Sequence, residues 1–337
     1  MIKLRGILKD LPDFCREFFR GIEPTTSVLT RINYAYDLRL FFHFLCSEIE
    51  LFQDKTPKSF TLDDLSLIDS THLEIFLEYV TYYRKGQQEY ENQAQGKARK
   101  LSTLRSFFKY FFKKGELQSN VAALVDIPKI HEKPIIRLEP DEVAKLLDHV
   151  ESGKGLTPTQ RRYHQYTRLR DTALLTLFLG TGIRISECIG LNISDFDFHI
   201  NGFRITRKGG NQVILYFSDE VLDVLQDYLA ERKKITPLPG HEDAFFLSLQ
   251  RKRISARAVQ NLVKKYSSLV NSIKSISPHK LRSTYGTTLY RETGDIYLVA
   301  DVLGHKDVNT TRKHYAAISD EKRRMAARVV KLRDDKK

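Results

Sequence analysis

The stretch LGHKDVNTTRKHYAAI, residues 303–318, places a histidine directly after a glycine turn, then two threonines, then a tyrosine one helical turn beyond the second threonine. The chain has 16 tyrosines, so Tyr315 alone says little. A tyrosine on an amphipathic helix is ordinarily a core residue. Three other stretches in the C-terminal half change its weight. GTGIRISECIGL (180–191) sets Arg184 at the start of a helix, just after a glycine turn. TRKGGN (206–211) sets Lys208 at the tip of a hairpin. SPHKLRSTYGTT (277–288) sets His279 and Arg282 three residues apart, on one helix face. Each has a plain reading by itself: a surface ion pair for the arginine, a solvated turn for the lysine, a capping or salt-bridge pair for His279 and Arg282.

The composition narrows the class of protein. At 337 residues the chain is long for one domain and comfortable for two, and it can bury a large core without disulfides or structural metal. Cys15, Cys46 and Cys188 form no CxxC pair and no zinc-spaced cluster, which fits reduced thiols in a cytoplasmic protein. No signal peptide and no apolar run of membrane-spanning length is present, so no membrane association is expected. The formal net charge of +13 favours a polyanionic partner, nucleic acid first. The absence of a GxxxxGK[ST] loop argues against ATP use.

Two halves emerge along the chain. Residues 1–127 read as helical. PTTSVLTRINYAYDLRLFFHFL places Val28, Ile32, Leu38, Phe41, Phe42 and Leu45 near one helical face, and STHLEIFLEYVTYY and LSTLRSFFKYFFKKG repeat the style. The polar run 84–100 reads as a mobile loop. DIPKIHEKPIIRLEP (126–140) carries three prolines, which sets a linker at 128–139. Residues 140–337 read as a second domain with a tail helix. It opens on PDEVAKLLDHV, followed by a polar, basic connection at 151–168. A buried helix stopped by Gly180 comes next, then two or three short strands around Asn201-Gly202 and Gly209-Gly210, and helices to the end.

Together, two arginines, a lysine, two histidines and a tyrosine in this order and these contexts resemble the tyrosine recombinase family, the phage integrase and Xer group. The resemblance covers most of the chain. It implies a mainly α fold with a small β-sheet: a helical core-binding (SAM-like) domain plus a mixed α+β catalytic domain. It also implies roles. Arg184 and Arg282 hold the scissile phosphate, His279 takes the proton of the attacking phenol, Lys208 protonates the departing 5′-oxygen, His305 adds a hydrogen bond, and Tyr315 is the nucleophile. The physics agrees. Two guanidinium forks hold non-bridging oxygens bidentately and stay charged, so neither metal nor other cofactor is called for. Ser283 stands where the family often has a second histidine. The ten residues from His305 to Tyr315 resemble the TT-x-x-x-Y form of mobile-element integrases. The TRKGG turn and the 151–168 run resemble a longer Xer type of some Gram-positive bacteria. Chromosome dimer resolution and element integration or excision both stay open.

As a family member the chain would bind double-stranded DNA at core sites only, clamped between its two domains. It would exchange strands in a homo-tetramer through a Holliday junction, with a directionality factor or DNA translocase as candidate helper. Met325, Ala326, Val329, Val330 and Leu332 would donate the tail helix to a neighbouring subunit. Arg31, Arg39, Lys97, Arg99, Lys100 and Arg105 in the first half, and Arg161, Arg162, Arg168, Arg251, Lys252, Arg253 and Arg257 in the second, could reach DNA; for any one alone a solvated face is the plainer reading, and as a set they predict steep salt dependence. The alternatives are a type IB topoisomerase-like enzyme, which relaxes one duplex, and a catalytically inactive DNA-binding regulator. Against the last, all six expected positions are filled.

Overall fold

The computed structural model describes residues 2–130, 136–207, 209–305 and 307–315; the tail stripe from Met325 to Leu332 lies outside them. The chain divides into two compact units, Met1–Lys133 and Pro134–Lys337.

The first unit is built from α1 (Ile2–Ile7), α2 (Cys15–Gly21), α3 (Val28–Glu48), α4 (Leu62–Ser66), α5 (Ser70–Tyr79), a hairpin of β1 (Tyr82–Lys85) and β2 (Gln88–Glu91), α6 (Ala94–Lys113) and α7 (Val121–Leu124). Ser27 starts α3 by accepting from the Thr30 amide at 3.1 Å. Leu38, Phe41, Phe42 and Leu45 are fully buried, as their spacing predicts, but so are Ala35 and Phe44, while Val28 is 39% exposed. The second half of α3 is therefore surrounded, and a one-face reading of it is too narrow. The core is a lattice of phenylalanines, with Phe41 edge-on to Phe76 at 5.1 Å and Phe18 edge-on to Phe107 at 5.1 Å. Each such ring contributes about 2 kcal/mol by burial.

The polar run expected as a loop is ordered instead. Gly86, at φ +61°, turns the hairpin, Tyr83 pairs with Tyr90, and their rings stack at 5.1 Å. Arg84 bonds Glu89 across it at 2.7 Å. Cross-strand aromatic and charge pairs thus stabilise strands whose sequence carries no apolar alternation.

Several cations expected to face DNA are internal ties. Buried Arg31 donates to Glu23 at 2.6 Å, and buried Lys100 donates to Asn92 at 2.7 Å. Arg99 forks onto the buried Asp37, which Thr103 also contacts at 2.8 Å. Arg105 bonds the carbonyls of Ala122 and Val125. The Arg99 side chain is itself half exposed, and Arg39 on Asp10 and Lys97 on Thr81 are partly buried.

The second unit comprises α8 (Pro140–Ser152), α9 (Pro158–Thr181), α10 (Ile185–Gly190), strands β3 (Phe196–Asp197), β4 (Gly202–Thr206) and β5 (Gln212–Tyr216), then α11 (Asp219–Arg232), α12 (Ala256–Val270), α13 (Pro278–Thr293), α14 (Ile296–Leu303) and α15 (Val308–Tyr315). Most of the run expected as a basic connection is the first half of α9. Thr157 and Gln160 cap it reciprocally, and Pro158 opens its first turn. The helix does not stop at Gly180. It continues to Thr181 and ends on Gly182, at φ +62°. Gly180 serves packing instead: a Cβ there would lie 2.6 Å from Val221 of α11.

α9 is the central helix, packed by α8, α11 and α13, with Ala173, Leu174, Leu175, Leu177 and Phe178 fully buried. The antiparallel sheet runs β3-β4-β5, with Phe203 opposite Leu215 on its buried face. Arg253 is a further internal tie, bonding the Ile189 and Leu191 carbonyls and Asn192, whereas Arg161, Arg162, Arg168, Arg251, Lys252 and Arg257 are exposed. Among the described residues no helix is long and apolar enough to cross a membrane.

Candidate active site

Two left-handed glycines build the site. Gly182 ends α9 and Gly304, at φ +60°, ends α14. They lie close together: a Cβ on Gly182 would meet Leu303 at 2.8 Å. Only glycine takes these conformations without strain, and here it also permits the close approach.

Arg184 follows Gly182 as the residue that opens α10. Its backbone N–H and its Nη1 both donate to Glu187, at 2.9 Å each, and its Nη2 donates to the Gly304 carbonyl at 2.9 Å. The Glu187 carboxylate is nearly buried and the Arg184 side chain is 35% exposed. Arg282 comes from α13 and is only 4% exposed. It donates to the carbonyls of Gly182 and Leu303. The two arginines, nearly a hundred residues apart, therefore grip adjacent carbonyls of one turn.

A third guanidinium shares that turn. Arg207 donates to the carbonyls of Asp301 (3.0 Å) and Val302 (2.8 Å), so four successive carbonyls, 301 to 304, each receive an arginine. Burial lowers the Arg207 pKa from its ordinary value; the charge of Arg184 adds to this, and Glu187 and Asp301 oppose it. Its Nε is buried with no hydrogen-bond partner among the described residues. Arg207 is not marked by any motif, since its partners are backbone carbonyls far along the chain. The available signal was a second cation beside a K-G-G turn.

His305 follows the turn. Its amide bonds the Ala300 carbonyl at 2.9 Å, and its Nδ1 pairs with the hydroxyl of buried Thr311 at 2.7 Å. When Thr311 donates, the ring proton sits on Nε2, the form able to donate to a phosphoryl oxygen. His279 is the second residue of α13, exposed, one turn before the buried Arg282. α15 packs on α13 and α14, and Tyr315 is its last residue; the tyrosine side chain lies outside the described residues. Lys208 also lies outside them, between Arg207 and Gly209 in the turn joining β4 to β5. The structure thus brings together Arg184, Arg282 and His305, and adds Arg207. Among the described residues no group of three His, Cys, Asp or Glu side chains is placed to hold a metal ion.

Comparison with known proteins identifies the family. The model of the Phage integrase family matches residues 136–322, more than half of the chain. The chain belongs to the phage integrase family, the tyrosine recombinases. Among curated relatives, the Tyrosine recombinase XerC of Caldanaerobacter subterraneus subsp. tengcongensis is 34% identical over 87% of this chain and 79% of its own length. That of Syntrophus aciditrophicus is 30% identical over 92% and 94%. Among solved structures, the Tn1549 transposon integrase in complex with circular intermediate DNA covers 94% of this chain and 99% of its own, with a TM-score of 0.66 at 19% identity. The XerH site-specific recombinase bound to its difH substrate covers 90% and 80%, with a TM-score of 0.64 at 22% identity. This tyrosine recombinase is thus mostly helical with small antiparallel sheets, the fold of those structures.

Proposed function

We propose that the protein is a site-specific DNA recombinase that cuts and rejoins duplex DNA through a 3′-phosphotyrosyl intermediate on Tyr315. The observation that carries this reading is the convergence of Arg184 and Arg282 on the Leu303–Gly304 turn, which leads directly into His305. A phosphodiester carries one negative charge, and attack builds more on its non-bridging oxygens. Two oriented guanidinium groups in a partly buried place stabilise that charge where it develops.

In this mechanism the Tyr315 oxygen attacks phosphorus as His279 takes its proton. The bond to the 5′-oxygen breaks, and Lys208 protonates that oxygen. His305 donates to a phosphoryl oxygen. The diester is stored as phosphotyrosine and returned to a different 5′-hydroxyl, so the exchange is nearly isoenergetic. Two such exchanges in a DNA-bound homo-tetramer, through a Holliday junction, recombine two sites. The 128–139 segment links a core-binding domain (1–127) to the catalytic domain (140–337), and the enzyme acts in the cytoplasm. Direction then comes from DNA architecture or a helper such as a directionality factor or translocase.

The test recovers DNA covalently attached to denatured protein from cells expressing wild type or Tyr315→Phe. A short recurring sequence on wild type alone is expected. Its position at the chromosome's replication terminus means dimer resolution, and at a mobile-element end it means integration or excision. Equal recovery from both proteins overturns Tyr315 as nucleophile.

A further inference from the structure

Arg207 has no role in the mechanism above, yet its placement is unusual. Its backbone closes the turn that carries Lys208: the Arg207 N–H donates to Asn211 at 2.8 Å, and the Gly210 N–H donates to Arg207 at 3.0 Å. Its side chain reaches the other way, across some ninety residues of sequence, to the last turn of α14 through the Asp301 and Val302 carbonyls. The end of a helix is the negative end of its dipole and leaves carbonyls without intrahelical partners, so a guanidinium fork there is held firmly. The fork also lies directly against Gly304, where a Cβ would sit 2.5 Å from the Arg207 Cζ. One residue therefore spans the turn bearing Lys208 and the turn leading into His305.

Two successive glycines restrain a turn little by themselves. Gly209 and Gly210 have φ of +103° and +87°, and neither would meet any atom within 4 Å through a Cβ. Among the described residues, the hydrogen bonds that close this turn are the two made by the Arg207 backbone. We infer that Arg207 is a positioning residue for the cleavage step. By clamping the base of the β4–β5 turn to the C-terminus of α14, it holds Lys208 in register with the phosphate that Arg184 and Arg282 grip. The inference rests on the reading of Lys208 as the proton donor to the leaving 5′-oxygen.

Chemistry offers a way to isolate that proton. In the step, the tyrosyl oxygen–phosphorus bond forms, the phosphorus–5′-oxygen bond breaks, and the ammonium proton of Lys208 passes to the 5′-oxygen. If sulfur replaces that bridging oxygen, the leaving group is a thiolate, whose conjugate acid has a pKa of about 8.5, and it departs without a proton. A defect confined to proton delivery then disappears on the sulfur substrate, whereas a defect in phosphate grip or folding persists.

The experiment uses the full chain and a nicked duplex bearing the recurring site recovered from the adducts, with oxygen or sulfur at the scissile 5′ position. Wild type, Arg207→Met, Arg207→Lys and Lys208→Ala are compared for the rate of covalent adduct formation and for DNA binding. Arg207→Met is expected to cleave the oxygen substrate about 100-fold more slowly than wild type. On sulfur it is expected to come within a few-fold of wild type, with DNA binding unchanged. Arg207→Lys keeps the charge without the fork and is expected to fall between, which keeps the test decisive if Arg207→Met folds poorly. Equal losses on both substrates, or no loss on either, overturn the inference while a rescued Lys208→Ala leaves the proton donor standing. A Lys208→Ala that sulfur does not rescue overturns the proton-donor reading, and the inference with it.

Discussion

Glu142 offers a quantitative test of how α13 is held. It sits in the first turn of α8 and accepts from Lys274 (2.6 Å), from Asn271 (3.0 Å) and from the Glu139 amide (2.9 Å). Burial pushes its carboxyl up, but the bonds from Lys274, Glu139 and Asn271 and the Lys274 charge outweigh it. The net pKa falls from the ordinary 4.5 to about 2. Because the folded value lies below the unfolded one, the stabilisation is complete above about pH 4.5 and is lost as the pH falls toward 2. A shift of that size corresponds to about 3 kcal/mol at pH 7, and screening at the partly exposed Lys274 lowers it to about 2. Glu142→Gln keeps the shape and one acceptor but removes the charge. Urea melts should show it less stable by about 2 kcal/mol at pH 7, with the gap roughly halved near pH 3. A gap that is constant across this range, or absent at pH 7, refutes the reasoning. Since Asn271 and Lys274 lie just ahead of Ser277, the residue before α13, the same variant should also slow adduct formation.

Two further outcomes are expected. Gly304→Ala strains a left-handed position by about 1–2 kcal/mol and drives a Cβ into the Arg207 guanidinium, so adduct formation should fall about 100-fold with DNA binding retained, as gel shift and trapping assays would show. In salt titrations of DNA binding, the exposed Arg257 replaced by Met should reduce the slope of log K against log salt by about one, whereas Arg99→Met should leave the slope unchanged and lower the melting temperature, because Arg99 is committed to Asp37.

The site was legible in sequence to the extent that it is local. A glycine with an arginine or histidine one or two residues beyond it encodes a left-handed helix end that delivers that side chain, and T-G-I-R and L-G-H each do that in the structure. The hairpin of the first unit was not legible, because its strands depend on pairing of Tyr83 with Tyr90 and Arg84 with Glu89 rather than on apolar alternation. The first turns of α9 were hidden for a related reason: they are polar and exposed, and only the Thr157–Gln160 caps mark their start. Charge misled most. A list of arginines does not say which face water, and Arg31, Arg105 and Arg253 each satisfy internal acceptors. Arg207 escaped notice because its partners are backbone carbonyls some ninety residues away, which no spacing rule connects.

Gathering Arg184, Arg207 and Arg282 at one turn is unfavourable in itself, since like charges repel, and what offsets the repulsion matters for the chemistry. Four successive carbonyls at the end of α14 receive the three guanidinium groups, and Glu187 is the carboxylate bonded to one of them. A helix end is worth about half a negative charge, so these groups together leave about +1.5. Carbonyl oxygens can aim guanidinium forks as firmly as carboxylates do, but they cancel far less of the charge. A carboxylate on each arginine would have oriented the forks and quenched the potential that a phosphate needs. The residual positive charge, presented to the phosphate by Arg184 and Arg282 and fixed in direction before any bond changes, matches a phosphodiester that gains negative charge as it is attacked. On this reasoning the end of α14 is more than packing: it orients the cations at little cost to their field, and the glycine at its end is what lets Arg207 and Arg184 both reach it.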